Sequence, residues 1–127
     1  MARAGAIYGS GFPKLNMIIY HIVPKQFYAK QTKNAVYLPK PFAQEGFIHC
    51  TRNAAEMARI ATRFYKQERG PHVYLYIDTK KVDAKVRYDD AAKKYPHIYG
   101  GLNHTAIVAI KPAQRDSDGN FLAPEKL

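Results

Sequence analysis

Residues 72–78 read His-Val-Tyr-Leu-Tyr-Ile-Asp, and this heptad decides the fold class. Val73, Leu75 and Ile77 alternate with His72, Tyr74, Tyr76 and Asp78, so the two sets point to opposite faces of an extended strand. Just upstream, residues 54–67 follow a different period. Met57, Ile60, Ala61, Phe64 and Tyr65 recur at the i, i+3, i+4, i+7, i+8 spacing of an amphipathic helix. Asn53 is placed to cap that helix, Glu56 at its third position to close a capping box, and Gly70-Pro71 to stop it. Arg59, Arg63 and Lys66 fall on the opposite face as a basic stripe.

Working outward, residues 16–23 (NMIIYHIV) are apolar on both faces and predict a central strand. Residues 24–31 suit a short helix opened by Pro24, and residues 35–38 a short extended piece between proline-broken segments. Residues 45–51 (EGFIHCT) predict a turn at Gly46 and a short strand. Residues 84–88 predict another strand and residues 105–111 a buried one. Residues 95–101, rich in Pro, Gly and aromatics, read as a loop, and residues 113–127 as a turn-rich, loosely held tail. The order β-α-β-α-β-β-β, with five or six strands, gives a mixed α+β fold with mostly antiparallel strands and one main amphipathic helix. No Gly-rich turn joins a strand to a helix, which argues against a Rossmann or P-loop site.

A chain of 127 residues is one domain, expected here over residues 17–112 behind a flexible extension at residues 1–16. Twenty Lys and Arg against ten Asp and Glu give a net charge of +10, which brings in an anionic ligand, RNA or simple charge solubility. The excess is uneven: residues 1–44 hold six basic residues and no acid. The lone Cys50 makes no intrachain disulfide and completes no zinc-finger spacing, so a reducing, cytoplasmic setting without a bound metal is expected. The longest apolar run, residues 17–23, is broken by His21 and too short for a bilayer, so no membrane role is expected.

Three histidines sit in suggestive places: His21 inside an apolar strand, His49 beside Cys50, and His97 in YPHIYGG. An imidazole that faces a cleft orients a substrate or moves a proton near neutral pH, although a hydrogen-bonded core histidine is the commoner state. Adjacent strand residues point apart, so Cys50 does not pair with His49, and an inert buried thiol is expected. The same alternation puts Thr51 on the face of His49. Tyr37, Tyr65, Tyr74, Tyr76, Tyr95 and Tyr99 are available to stack on a base or a nicotinamide ring, and Arg63 or Arg87 to hold a phosphate. DSDGN at residues 116–120 is a turn, since its Gly is misplaced for a calcium loop.

MIIYHIVPK, EGFIHCT, the helix ending in RFY, VYLYID and YPHIYGGLN occur in the order seen in a small family. Over residues 17–112 the chain resembles that family, called domain of unknown function nine-fifty-two. The resemblance implies a fold similar to the ADP-ribosyltransferases: a split β-sandwich whose cleft holds NAD. In that superfamily a first-strand His, often paired with a later Tyr, grips the nicotinamide-side ribose, and His21 occupies the matching strand. The late-strand Glu of active transferases has no counterpart in TAIVAIK, and Glu45 does not match its position. The cleft is expected to gather His21, His49, Thr51, Arg63, Tyr65, His97, Tyr99 and Asn103. His21, His49 and His97 would be catalytic, with His21 and the others holding NAD or a 2′-phosphorylated nucleotide. The implied activity is ADP-ribosyl or 2′-phosphate transfer. The alternatives are a non-catalytic nucleotide or ADP-ribose binder, favoured by the missing carboxylate, and a basic RNA-binding module.

Overall fold

The alternating heptad is the middle strand of the main sheet. The computed structural model describes residues 17–127, so the extension expected at residues 1–16 lies outside the described residues. The chain runs β1 (Ile18–Pro24), α1 (Lys25–Gln31), β2 (Val36–Tyr37), α2 (Phe42–Glu45), β3 (Ile48–His49), α3 (Ala54–Tyr65), β4 (His72–Asp78), β5 (Lys85–Tyr88), β6 (Pro96–Tyr99), β7 (Leu102–Asn103) and β8 (Ile107–Pro112). Short 3-10 turns at Thr79–Lys81 and His104–Ala106 complete it. Every strand pair is antiparallel: β1-β4-β8 form one sheet, β3-β6-β5 a second, and β2-β7 a small third. The fold is therefore mixed α+β with antiparallel sheets.

The two faces of β4 build two cores. Val73, Leu75 and Ile77 pack with Ile19, Val23, Tyr28, Tyr37, Ile48, Ile98 and Leu102. This core lies between the main sheet and the smaller ones. Tyr74 and Tyr76 pack with Ile22, Met57, Ala61 and Phe121, so α3 and the C-terminal tail cover the other face. Of the second core's members, Met57 and Ala61 are the helical residues the spacing predicted inward. Asn53 caps α3 by accepting the Glu56 backbone N–H at 3.0 Å, a contact worth roughly 1 kcal/mol. Glu56 does not close the expected box; its carboxylate turns to Arg59 and to the Tyr95 hydroxyl.

Several expectations are corrected. β4, not β1, is central: β1 pairs with β4 on one edge and on the other makes only a bridge from Tyr20 to Thr51. Residues 95–101 contain strand β6, in the middle of its sheet. Pro96 opens the strand, where its missing N–H is tolerated, and its carbonyl accepts the Cys50 N–H at 3.0 Å. Strand β8 is an edge with Val108 and Ile110 substantially exposed, rather than a buried strand. Phe64, expected in the core, is 62% exposed. The tail is not loose. Phe121 is buried, the Tyr74 hydroxyl donates to Leu122 O at 2.8 Å, and the Tyr76 hydroxyl donates to Glu125 O at 2.7 Å.

Candidate functional site

Strand β1 places Ile19, His21 and Val23 on the first-core face, so the imidazole of His21 is carried into apolar surroundings and is almost fully buried. Burial without partners would cost a polar ring several kcal/mol, and both nitrogens are in fact bonded. Nδ1 lies 2.7 Å from the His49 carbonyl oxygen and Nε2 lies 2.6 Å from the Tyr37 hydroxyl. A carbonyl only accepts, so Nδ1 carries the proton. Burial lowers the His21 pKa to about 4, which keeps the ring neutral and leaves Nε2 as the acceptor of the Tyr37 O–H. The His49 carbonyl favours the charged form, but desolvation outweighs it. Tyr37 is buried too, and burial pushes its hydroxyl well above the usual phenol range. The two groups thus form a neutral hydrogen-bonded pair.

This pair forms the back of a cavity of about 360 Å³. Phe27, Phe47, Tyr65 and three prolines line it, and Lys40, Glu45, His49 and Glu68 supply the remaining polar groups. Glu45 ends the short helix α2, Gly46 turns the chain at φ +79°, and β3 then brings His49 back beside it. A side chain is strained at that positive φ, which explains the glycine between Glu45 and His49. The His49 Nε2 lies 2.9 Å from Glu45 Oε1, with both side chains open to solvent at the cavity edge. The carboxylate accepts from Nε2–H, which leaves Nδ1 of His49 as the basic nitrogen. A base oriented by a carboxylate beside a cavity is the arrangement of a general acid–base pair.

The expected cleft residues separate into two groups. His21, His49 and Tyr65 line the cavity. His97 pairs in register with His49 across β3 and β6, its ring 5.2 Å from that of His49, but Phe47 stacks on it at 4.2 Å and stands between it and the cavity. Its Nδ1 is 3.1 Å from Asp89. Tyr99, also expected there, donates to the same Asp89 carboxylate at 2.6 Å on the outer face of that sheet. The Tyr99 hydroxyl, then His97 and Arg87, hold the Asp89 carboxyl below the usual range. Thr51 does not share the face of His49. The chain leaves β3 after His49 and bonds to Tyr20 at 2.8 Å in both directions, which buries Thr51 between the sheets. Arg63 lies on the exposed face of α3, over the Phe64 ring at 5.3 Å, away from the cavity. Asn103 is a clamp: its Nδ2 donates to Lys81 O at 2.8 Å and its Oδ1 accepts the Asp83 N–H at 2.9 Å.

Cys50 is buried, its thiol pushed up by desolvation and aimed at the Ile48 carbonyl, with no histidine bond among the described residues. No group of three or more His, Cys, Asp or Glu is placed to hold a metal ion among the described residues, and no helix there is long and apolar enough to cross a membrane. Among the cavity residues that the sequence did not assign to the cleft are Phe27, Lys40, Glu45, Phe47 and Glu68. Only Glu45 carried a signal, four residues before His49.

The chain matches the family model described as Protein of unknown function (DUF952) over residues 22–110. Protein CC0527 from Caulobacter crescentus has a similar fold. Its crystal structure superposes with a TM-score of 0.69 at 18% sequence identity, covering 83% of this chain and 93% of that one. Its solution NMR structure gives 0.66 at 16% identity, covering 85% and 91%. No curated protein matches.

Proposed function

This chain belongs to the DUF952 family, and we propose that its cavity binds the nicotinamide-ribose end of NAD, or a nucleotide derived from it, for transfer of the ribosyl group. The observation that carries this is the Glu45–His49 pair on the same cavity as the buried His21–Tyr37 pair. The charge of the lining favours the nicotinamide end. Glu45, bonded to His49, and Glu68, bonded to His72, line the space with Lys40 as the one lysine or arginine of the lining, and the walls are aromatic. Such a lining suits a planar cationic ring better than a phosphate. An ADP-ribosyltransferase-like fold and a cytoplasmic setting belong to the same proposal.

In the reaction, the bond from ribose C1′ to the nicotinamide nitrogen breaks with its electron pair, and nicotinamide leaves neutral. The positive charge moves to the ribose, where Glu45 stabilises it. Nδ1 of His49 takes the proton of the incoming hydroxyl or phosphate, which bonds to C1′. His21 has no free nitrogen for proton transfer. Its part is to fix Tyr37 and the His49 backbone, which makes it a positioning residue. A general base typically contributes about 10²–10⁴-fold. Glu45→Gln and His49→Asn are each expected to cut nicotinamide release from NAD by about that factor, with NAD still raising the melting temperature. NAD that neither shifts the melting temperature nor releases nicotinamide refutes the proposal.

The second reading is a non-catalytic binder of a nucleotide or ADP-ribose. The full engagement of both His21 nitrogens inside the protein favours it. A saturable thermal shift without nicotinamide release selects this reading, since a ligand at about a hundred times its Kd adds roughly 2.7 kcal/mol.

A further inference from the structure

We infer that the exposed face of α3, with the hollows at its two ends, binds the phosphodiester backbone of a nucleic acid strand. At the N-terminal end, Arg52 and Arg59 face Lys93 and Lys94 across an open groove of about 630 Å³ whose one carboxylate is Glu56. At the C-terminal end, Lys66, Arg69 and Arg115 outnumber Glu68 in the lining of a second hollow of about 340 Å³. Arg59, Arg63 and Lys66 join the two along one helix face, since positions three and four apart lie above one another. A four-residue step on a helix rises about 6 Å, so the cations follow a line rather than a point.

These cations are available. Arg52, Arg63, Lys66, Lys93 and Lys94 have no carboxylate within ion-pair distance among the described residues, and residues 1–16 contain no acid to supply one. Arg59 is paired with Glu56, and the Arg115 guanidinium is spent on the Lys66 and Glu68 carbonyls. The groove's far wall is a built turn: Asp90 accepts the backbone N–H groups of Lys94 at 2.8 Å and Tyr95 at 3.0 Å. Lys93 sits there at φ +56°, a conformation that favours Asn or Gly, so a lysine is held where its backbone is strained.

Phe64 selects the partner. It is 62% exposed on the flank of the helix beside the stripe, about a quarter-turn round from Arg63, whose guanidinium lies over its ring at 5.3 Å. A line of cations with an exposed aromatic ring at its side makes the surface of a single-strand binder, where the ring stacks on a base and the charges follow the backbone. A membrane surface would instead need a broad apolar face. Along the exposed side of α3 the flanking side chains are Arg63 and Lys66, and both hollows are concave.

The test is fluorescence anisotropy of the full chain with labelled 12-nucleotide single strands, one RNA and one DNA of mixed sequence, between 50 and 200 mM KCl. Four or five phosphate contacts predict that affinity falls about 100-fold over that range. Replacing Arg63, Lys66, Lys93 and Lys94 together by Gln is expected to abolish most of that salt dependence, and Phe64→Ala to weaken binding about fivefold or more at unchanged salt dependence. All five side chains are exposed, so the variants are expected to fold as the parent does. Tighter RNA than DNA binding supports the proposal and adds 2′-hydroxyl contacts; equal binding supports it through the backbone alone. An equal loss on replacing Lys25, Lys30, Lys80 and Lys81 by Gln would show diffuse charge and overturn it. So would undetectable binding at 50 mM, or binding to phosphatidylserine vesicles without binding to either strand.

Discussion

Acidification removes stability through His21, because burial holds its imidazole neutral in the fold. In the unfolded chain this imidazole titrates near 6.5, and in the fold burial lowers it to about 4. Between those values the unfolded state binds a proton that the folded state does not. Stability therefore rises with pH across the window, is fully present above about 6.5, and is lost as pH falls toward 4. From the linkage relation, His21 alone makes the protein about 2 kcal/mol less stable at pH 5 than at pH 7.5. Against a total stability of about 5–15 kcal/mol for a domain, that is a large share.

Urea denaturation measures it. Tyrosine fluorescence and far-UV circular dichroism are the probes, because the chain has ten tyrosines and no tryptophan. Other groups titrate over the same range, so the comparison is with His21→Gln, which keeps a polar side chain but has no ionisable ring. The loss between pH 7.5 and pH 5 is expected to be about 2 kcal/mol larger in the parent than in the variant. Equal losses would refute the buried neutral imidazole. So would a nitrogen spectrum showing the His21 ring titrating near 6.5, because a charged ring cannot accept the Tyr37 O–H.

Two further substitutions test the frame. A Cβ added at Gly101 would sit 2.4 Å from Val36 Cγ2, so Gly101→Ala is expected to cost about 1–3 kcal/mol by overpacking, and Val36→Ala in the same chain to restore part of the melting temperature. Tyr76→Phe removes the hydroxyl that donates to Glu125 O at 2.7 Å; roughly 1 kcal/mol of stability and faster carboxypeptidase trimming of the tail are expected.

What the sequence showed depended on how local each signal was. The pleat alone sets the alternation in residues 72–78, and the two cores follow it residue by residue. The helix at residues 54–65 was equally legible, because period and cap are both local. Strand β6 was not. Pro96, Gly100 and Gly101 punctuate it like a loop, and only its two neighbours in space, β3 and β5, make it a strand. The pairing of His21 with Tyr37 joins residues 16 apart through strands in different sheets. The sequence marked both residues without giving a reason to join them. Thr51 failed because alternation holds only while a strand continues, and β3 stops at His49. Phe64 failed because the helical face the sheet can cover is narrower than the apolar arc.

Charge shows the same contrast between order along the chain and order in space. The acid-free stretch of residues 1–44 concentrates positive charge along the sequence around the first strand. Of its lysines among the described residues, only Lys40 lines the cavity that β1 backs, and Glu45 and Glu68 face the same space. The concentrated cations lie instead around α3 and the turn at residues 93–94, drawn from segments about 30 residues apart in sequence. Because Coulomb terms between exposed groups fade beyond a Debye length of roughly 8–10 Å, spatial clustering decides where an anion is held, and linear excess does not. A nicotinamide-bearing ligand and a phosphate strand make opposite demands, and the two proposed sites differ in charge accordingly. The ligand's cationic ring suits the cavity with its two carboxylates, and the strand suits the outer face of the helix. It follows that salt should weaken oligonucleotide binding steeply while leaving ligand binding in the cavity nearly unchanged; parallel salt dependence of the two would mean that they share one surface.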